Sequence, residues 1–309
     1  MADRKTLPVW HTVGETYRVA GRYWWRLAAM GLPFLAIAIF LSIPVEPKEL
    51  VIGPIFLPEG EAPVARPMTW IFYMLLQLRW QAIFLALAAI GLVAIHRLVL
   101  LEDRGPFAAL PIRLGGREVR FFFVLLVAVA PATIYSALFS MRMADSVLSA
   151  FNPAGTPEPG DTTGFGGATV PILWLGALFC WWLTLRLSLG LPAAALDMRW
   201  SLDAGWRLGR SNNWRLLGVA FVVAIPLFFL LSGIEFLDFA LMTWESNTTE
   251  RGDMVMCASR PTVWAYTMPV AQAITLWSTF VLEAIMLSLS YRALDGMAEP
   301  ANKSDTGIV

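Results

Sequence analysis

Charge is scarce in this chain. Only 15% of its 309 residues are charged, against a hydrophobic share of 57% and a mean hydropathy of +0.62. Soluble domains carry roughly 25% charged residues, so a large soluble domain is excluded. Histidine and cysteine are also rare, at two each. His11 and His96 have no second ligand at a helical spacing, which argues against a metal centre. Cys180 sits in an apolar block and Cys257 in a polar loop, so a disulfide between them is not expected. No Ser-His-Asp, Cys-His or paired-carboxylate arrangement is present, no cofactor is implied, and nothing points to nucleic acid. A secretory signal is also missing: MADRKTLPVWH runs into an amphipathic stretch rather than a short apolar core with a cleavage site.

What the chain does have is apolar blocks of about 20 residues, the length that crosses a bilayer core. They predict an all-α polytopic membrane bundle of six spans, near 26–45, 80–101, 121–141, 169–191, 215–235 and 266–290. The transmembrane domain covers 1–303, with 297–309 as a flexible tail. Met68 to Leu78 reads as a separate short surface helix. Of the 23 Lys and Arg, six (Lys48, Arg66, Arg79, Arg142, Arg251, Arg260) fall on one side and the other 17 on the opposite side. The positive-inside rule places both termini in the cytoplasm, and the expected location is a bacterial inner membrane.

Two stretches are alike: TVGETYRVAGRYWWRLAA from Thr12 and SLDAGWRLGRSNNWRLLG from Ser201. A third, FAALPIRLGGREVRFFF, begins at Phe107. Their cores are Tyr17-Arg18-Val19-Ala20, Ile112-Arg113-Leu114-Gly115 and Trp206-Arg207-Leu208-Gly209, at spacings of 95 and 94 residues. Each precedes an odd-numbered span, and the odd spans hold Pro33, Pro131 and Pro226. Even spacing at one topological place predicts three parallel two-span repeats, about 8–104, 105–198 and 199–296, each opened by a cytoplasmic amphipathic helix. Thr12-x-x-Glu15 reads as a capping box, Gly105-Pro106 as the start of the middle helix and Ser201 as an N-cap. Arg18, Arg113 and Arg207 then lie about 100° from the apolar stripe of each helix.

The three-unit layout with prolines resembles the mitochondrial carriers. The runs PFLAIAIF, PATIYSAL and PLFFLLSG lack the charges that follow the carrier proline, so that identity is excluded. The segment LPAAALDMRWSLDAGWRLGRSNNWRLLG, through Leu191-Pro192, Trp206 and Trp214-Arg215-Leu216, resembles bacterial six-span proteins similar to the membrane domain of glycerophosphodiester phosphodiesterases. The hydrolase activity of that family resides in a separate soluble barrel, so the resemblance implies no phosphodiesterase activity here.

Two function classes follow. In the first, the interfacial helices hold anionic lipid head groups, or a membrane or cytoplasmic protein partner, through Arg18, Arg113, Arg207, Arg210, Arg215, Trp206 and Trp214. In the second, a small transporter or permease component uses Glu283, the one acid inside a span. Arg186 is the expected partner of Glu283. A lipid-modifying enzyme has only Glu102-Asp103 to offer and is the weakest reading. The 14 tryptophans fall mainly at expected interfaces, apart from Trp174, Trp181 and Trp182, which are expected to pack between helices.

Overall fold

The computed structural model describes residues 6–42, 50–52, 67–101, 115–150, 169–198, 201–241, 243–248, 254–259 and 262–295. Eight helices run in chain order: α1 (Val9–Ser42), α2 (Pro67–Leu101), α3 (Gly116–Ala150), α4 (Thr169–Ser188), α5 (Gly190–Ala195), α6 (Ser201–Gly209), α7 (Asn213–Leu241) and α8 (Thr262–Asp295). Among the described residues, six stretches are long and apolar enough to cross a membrane: Val9–Phe40, Ile83–Leu101, Gly116–Ser136, Pro171–Ala195, Asn213–Asp238 and Thr267–Asp295. The chain is a multi-pass membrane protein. The end where α1 begins and α8 ends is called proximal below, and the opposite end distal.

Two elements differ from the sequence expectation. Thr12 to Ala29 is not a separate surface helix; it is the first half of a 34-residue α1. The helix starts at Val9, so Thr12 cannot cap it, and its hydroxyl donates to the Pro8 carbonyl at 2.9 Å instead. Met68 to Leu78 is likewise continuous with the 35-residue α2. The stretch from Ser201 does form a distinct short helix, α6, with Ser201 as its first residue rather than its cap. The middle counterpart from Phe107, including Arg113 and Gly105-Pro106, lies outside the described residues. Pro33, Pro131 and Pro226 fall inside α1, α3 and α7 as expected, and Pro269 inside α8.

Burial ranks the helices. Within the most apolar window, 56% of α2 and 50% of α8 is buried, against 17% for α7. α8 is therefore the pillar, touching α1, α2 and α7 along its length and α5 and α6 at its proximal end. α3 and α4 form a pair that joins through α2 and α5. The outward faces are apolar, as with Phe228, Phe229 and Phe236 of α7, which suits a lipid solvent. Without a hydrophobic drive between helices, association rests on close packing and interhelical hydrogen bonds. Trp277 of α8 supplies both. Its indole donates to the Leu27 carbonyl of α1 at 3.1 Å, and its ring fills the space over Gly31 and Gly91, where a Cβ would come within 2.3 and 2.5 Å of it. Phe34 packs on the same ring at 5.4 Å.

At the distal end a small antiparallel sheet joins two loops. Its strands β1 (Leu50–Ile52), β2 (Thr243–Thr248) and β3 (Met254–Ser259) lie in the order β1-β3-β2. The register pairs Val51 with Cys257 and Glu245 with Cys257. Cys257 is thus in a strand rather than an irregular loop.

Candidate functional site at the proximal corner

α5 ends in a turn that redirects the chain. Asp197 takes φ 64°, the left-handed region that costs a non-glycine residue. The Met198 amide donates to the Ala193 carbonyl at 3.1 Å, closing a Schellman-type cap. Arg117 of α3 grips the Asp197 carboxylate with Nε and Nη2, both at 2.6 Å, and Arg120 donates to the Asp197 carbonyl at 3.3 Å. Both nitrogens converge on one carboxylate oxygen, Oδ2, a charge-assisted contact of the strong kind. It holds the strained turn and was not foreseen, because the pairing spans 80 residues.

After the turn, α6 lies directly against α5. A Cβ on Gly205 would fall 2.4 Å from the Gly190 nitrogen, and one on Gly190 would fall 2.9 Å from the Ser201 carbonyl oxygen. Only glycine permits this approach. The crossing brings Trp206 over Arg186 of α4. The guanidinium lies 3.5 Å from the Trp206 ring centroid and 5.5 Å from that of Trp182. Its Nη2 donates to the Trp206 carbonyl at 3.4 Å. Arg186 is 8% exposed, and its Nε has no hydrogen-bond partner.

The expected Arg186–Glu283 pair is therefore not formed: Arg186 is turned toward two indoles, and among the described residues no ion pair joins it to Glu283. The two residues enter from the same end, but depth does not fix direction around a helix axis. The i,i+4 spacing of Trp182 and Arg186 was the available signal, since residues four apart share a helix face and an aromatic face attracts a guanidinium.

Arg210 neighbours Arg186 and carries the same sign. Arg210 and Arg215 are exposed, beside Trp206 and Trp214, which are 39% and 80% exposed. Two of the other expected arginines are held by acids on their own helices. Arg18 pairs with Glu15 at 2.5 Å and Arg207 with Asp203 at 3.2 Å. Trp181 packs on Phe221 at 6.3 Å as expected, whereas Trp174 is 68% exposed and faces outward.

Glu283 is exposed on the flank of α8. Gln272 and Leu276 share its stripe and are exposed too, but farther toward the proximal end Leu287, Ser290 and Leu294 on that stripe are buried. There α1 and α7 meet: the Tyr17 hydroxyl donates to the Val223 carbonyl at 2.9 Å, and the Leu7 amide to the Asn212 side chain at 3.1 Å. Val223 lies in the turn that Pro226 interrupts. His96 is buried in α2, its Nδ1 2.6 Å from the Ser288 hydroxyl and its ring against Phe121. His11 is exposed on α1.

On α1, Arg22 and Arg26 line a shallow depression of about 230 Å³ with Tyr23 and Trp25. Arg22 lies over Tyr23 at 5.6 Å and Arg26 over Trp25 at 5.5 Å. The Leu27–Trp277 hydrogen bond sets their level, placing Arg22 beside Leu282 of the antiparallel α8. That is 13 residues from the end of α8 at Asp295, or about 20 Å along the axis. Searches of protein-family models, of curated proteins and of solved structures find nothing that matches this chain.

Proposed function

We propose that the protein is a non-enzymatic component of a bacterial cytoplasmic membrane, with both termini cytoplasmic, that retains anionic lipid head groups at the corner where α6 meets α7. The observation that carries this reading is the uncompensated positive charge there. Arg186 is sealed beneath Trp206, Arg210 follows α6 with the same sign, and Arg215 lies in the first turn of α7, with no acid paired to any of them among the described residues. The exposed indoles of Trp206 and Trp214 suit the headgroup layer, where amphipathic rings settle. The bias of Lys and Arg toward this end supports the orientation.

Each arginine near an anionic leaflet contributes about 1 kcal/mol. Neutralising Arg210 and Arg215 together therefore removes about 2 kcal/mol, roughly a thirty-fold loss of affinity. Lipid mass spectrometry on protein purified in mild detergent is expected to show phosphatidylglycerol or cardiolipin on the native chain. The Arg210→Gln/Arg215→Gln variant should retain far less. Equal anionic lipid on both proteins would overturn the reading.

A further inference from the structure

Two charged side chains at one axial level form no ion pair among the described residues, on different sides of the same molecule. Arg22 is exposed on α1, and no ion pair reaches it among the described residues. Glu283 is exposed on α8 and likewise unpaired. The Leu27–Trp277 hydrogen bond ties the levels of the two helices. Arg22 lies five residues proximal to Leu27, and Glu283 six residues proximal to Trp277, so their axial positions agree within about 1.5 Å. Arg22 is about 140° round α1 from Tyr17, the residue that faces α7, so it points away from the bundle. Glu283 opens between the face of α8 that carries Phe280, packed on Phe34 of α1, and the face that carries Trp264, bonded to Asp238 of α7 at 2.9 Å.

We propose that the open stripe Gln272, Leu276 and Glu283 receives the outward face of α1 from a second copy of this chain, with Arg22 of one copy meeting Glu283 of the next. Copies inserted in the same orientation hold all their Arg22 and Glu283 side chains at matched depth, so the pairing needs no vertical shift. A lipid phosphate repels Glu283 and so cannot bridge the two groups. The two surfaces differ, so the contact is heterologous and repeats from copy to copy, closing into a ring where the rotation allows.

The faces can be tested with both charges intact. Ala29 lies seven residues beyond Arg22 on the same face of α1, and Leu276 seven before Glu283 on the same stripe of α8, again at nearly one level. In a Cys180→Ser/Cys257→Ser background, Ala29→Cys and Leu276→Cys chains are co-expressed, reconstituted in lipid nanodiscs and oxidised. A mixed disulfide dimer is expected, with no dimer from either variant alone. No mixed dimer, or equal dimer from a single variant, overturns the proposal. Native mass spectrometry supplies the second arm. Arg22→Glu and Glu283→Arg should each weaken association at least tenfold, and the double swap should restore it. A native chain that is monomeric, or that carries lipid or a foreign helix at Glu283, also overturns it.

Discussion

Replacing Trp277 with alanine is expected to destabilise the bundle by about 3 kcal/mol, the lower end of the range for a buried aromatic. The lower end applies because lipid tails are as apolar as the side chains they replace, so the loss is one of packing rather than of transfer from water. Trp277 is 4% exposed and joins three helices at once: Leu27 and Gly31 of α1, Gly91 of α2, and its own α8. Trp277→Phe keeps much of the volume and loses only the indole donor, for which about 0.6 kcal/mol is the membrane average. The reciprocal change is Gly31→Ala, whose new methyl would lie 2.3 Å from the indole. Overpacking of that kind costs about 1–3 kcal/mol. Residues in direct contact do not add, so Gly31→Ala should cost less in a Trp277→Leu background than in the native chain. Thermal unfolding in detergent, followed by circular dichroism, reads the native chain and all five variants. A native melting temperature for Trp277→Ala, or strict additivity in the double variant, would count against this packing.

The six spans were legible because the bilayer sets a length and the apolar blocks respect it. The Trp277 junction was not. Nothing in GLPFLAI or AIGLVAI announces that Gly31 and Gly91 lie under one ring, because that contact depends on how three helices face each other. A helix start was legible at Ser201, where α6 begins. The same logic failed at Thr12, where a capping pattern lies inside a helix that had already begun. Propensity marks where a helix can start; continuity with an apolar run decided where this one did. Arg186 shows the same division: its place near the end of α4 was legible in the sequence, and its direction was not.

The crossing of α5 and α6 carries the second large effect. Gly205→Val is expected to detach α6, at a cost near the top of the overpacking range, about 3 kcal/mol. The reason is what the new side chain meets. At Gly205 the nearest atoms are backbone, the Gly190 nitrogen at 2.4 Å and the Leu189 carbonyl carbon at 2.8 Å, and backbone cannot rotate away. At Gly209, one turn on, the nearest atom is Cγ of Arg186 at 3.2 Å, which can give way. Gly209→Ala should therefore cost little. At Gly218 nothing lies within 4 Å of a Cβ, so Gly218→Ala should stabilise α7 by up to about 1 kcal/mol through helix propensity. The ordering Gly205→Val, Gly209→Ala, Gly218→Ala separates a backbone clash from a general intolerance of glycine substitution. Limited proteolysis between 201 and 212 reports the detachment: the Gly205→Val chain should be cut faster than native, and the other two should not. Lifting α6 also withdraws Trp206 from Arg186 and moves Arg210, so Gly205→Val should lose anionic lipid along with its fold at this corner. Retention of native lipid by a chain whose α6 is cleavable would separate the lipid from the corner and assign it to another face of the bundle.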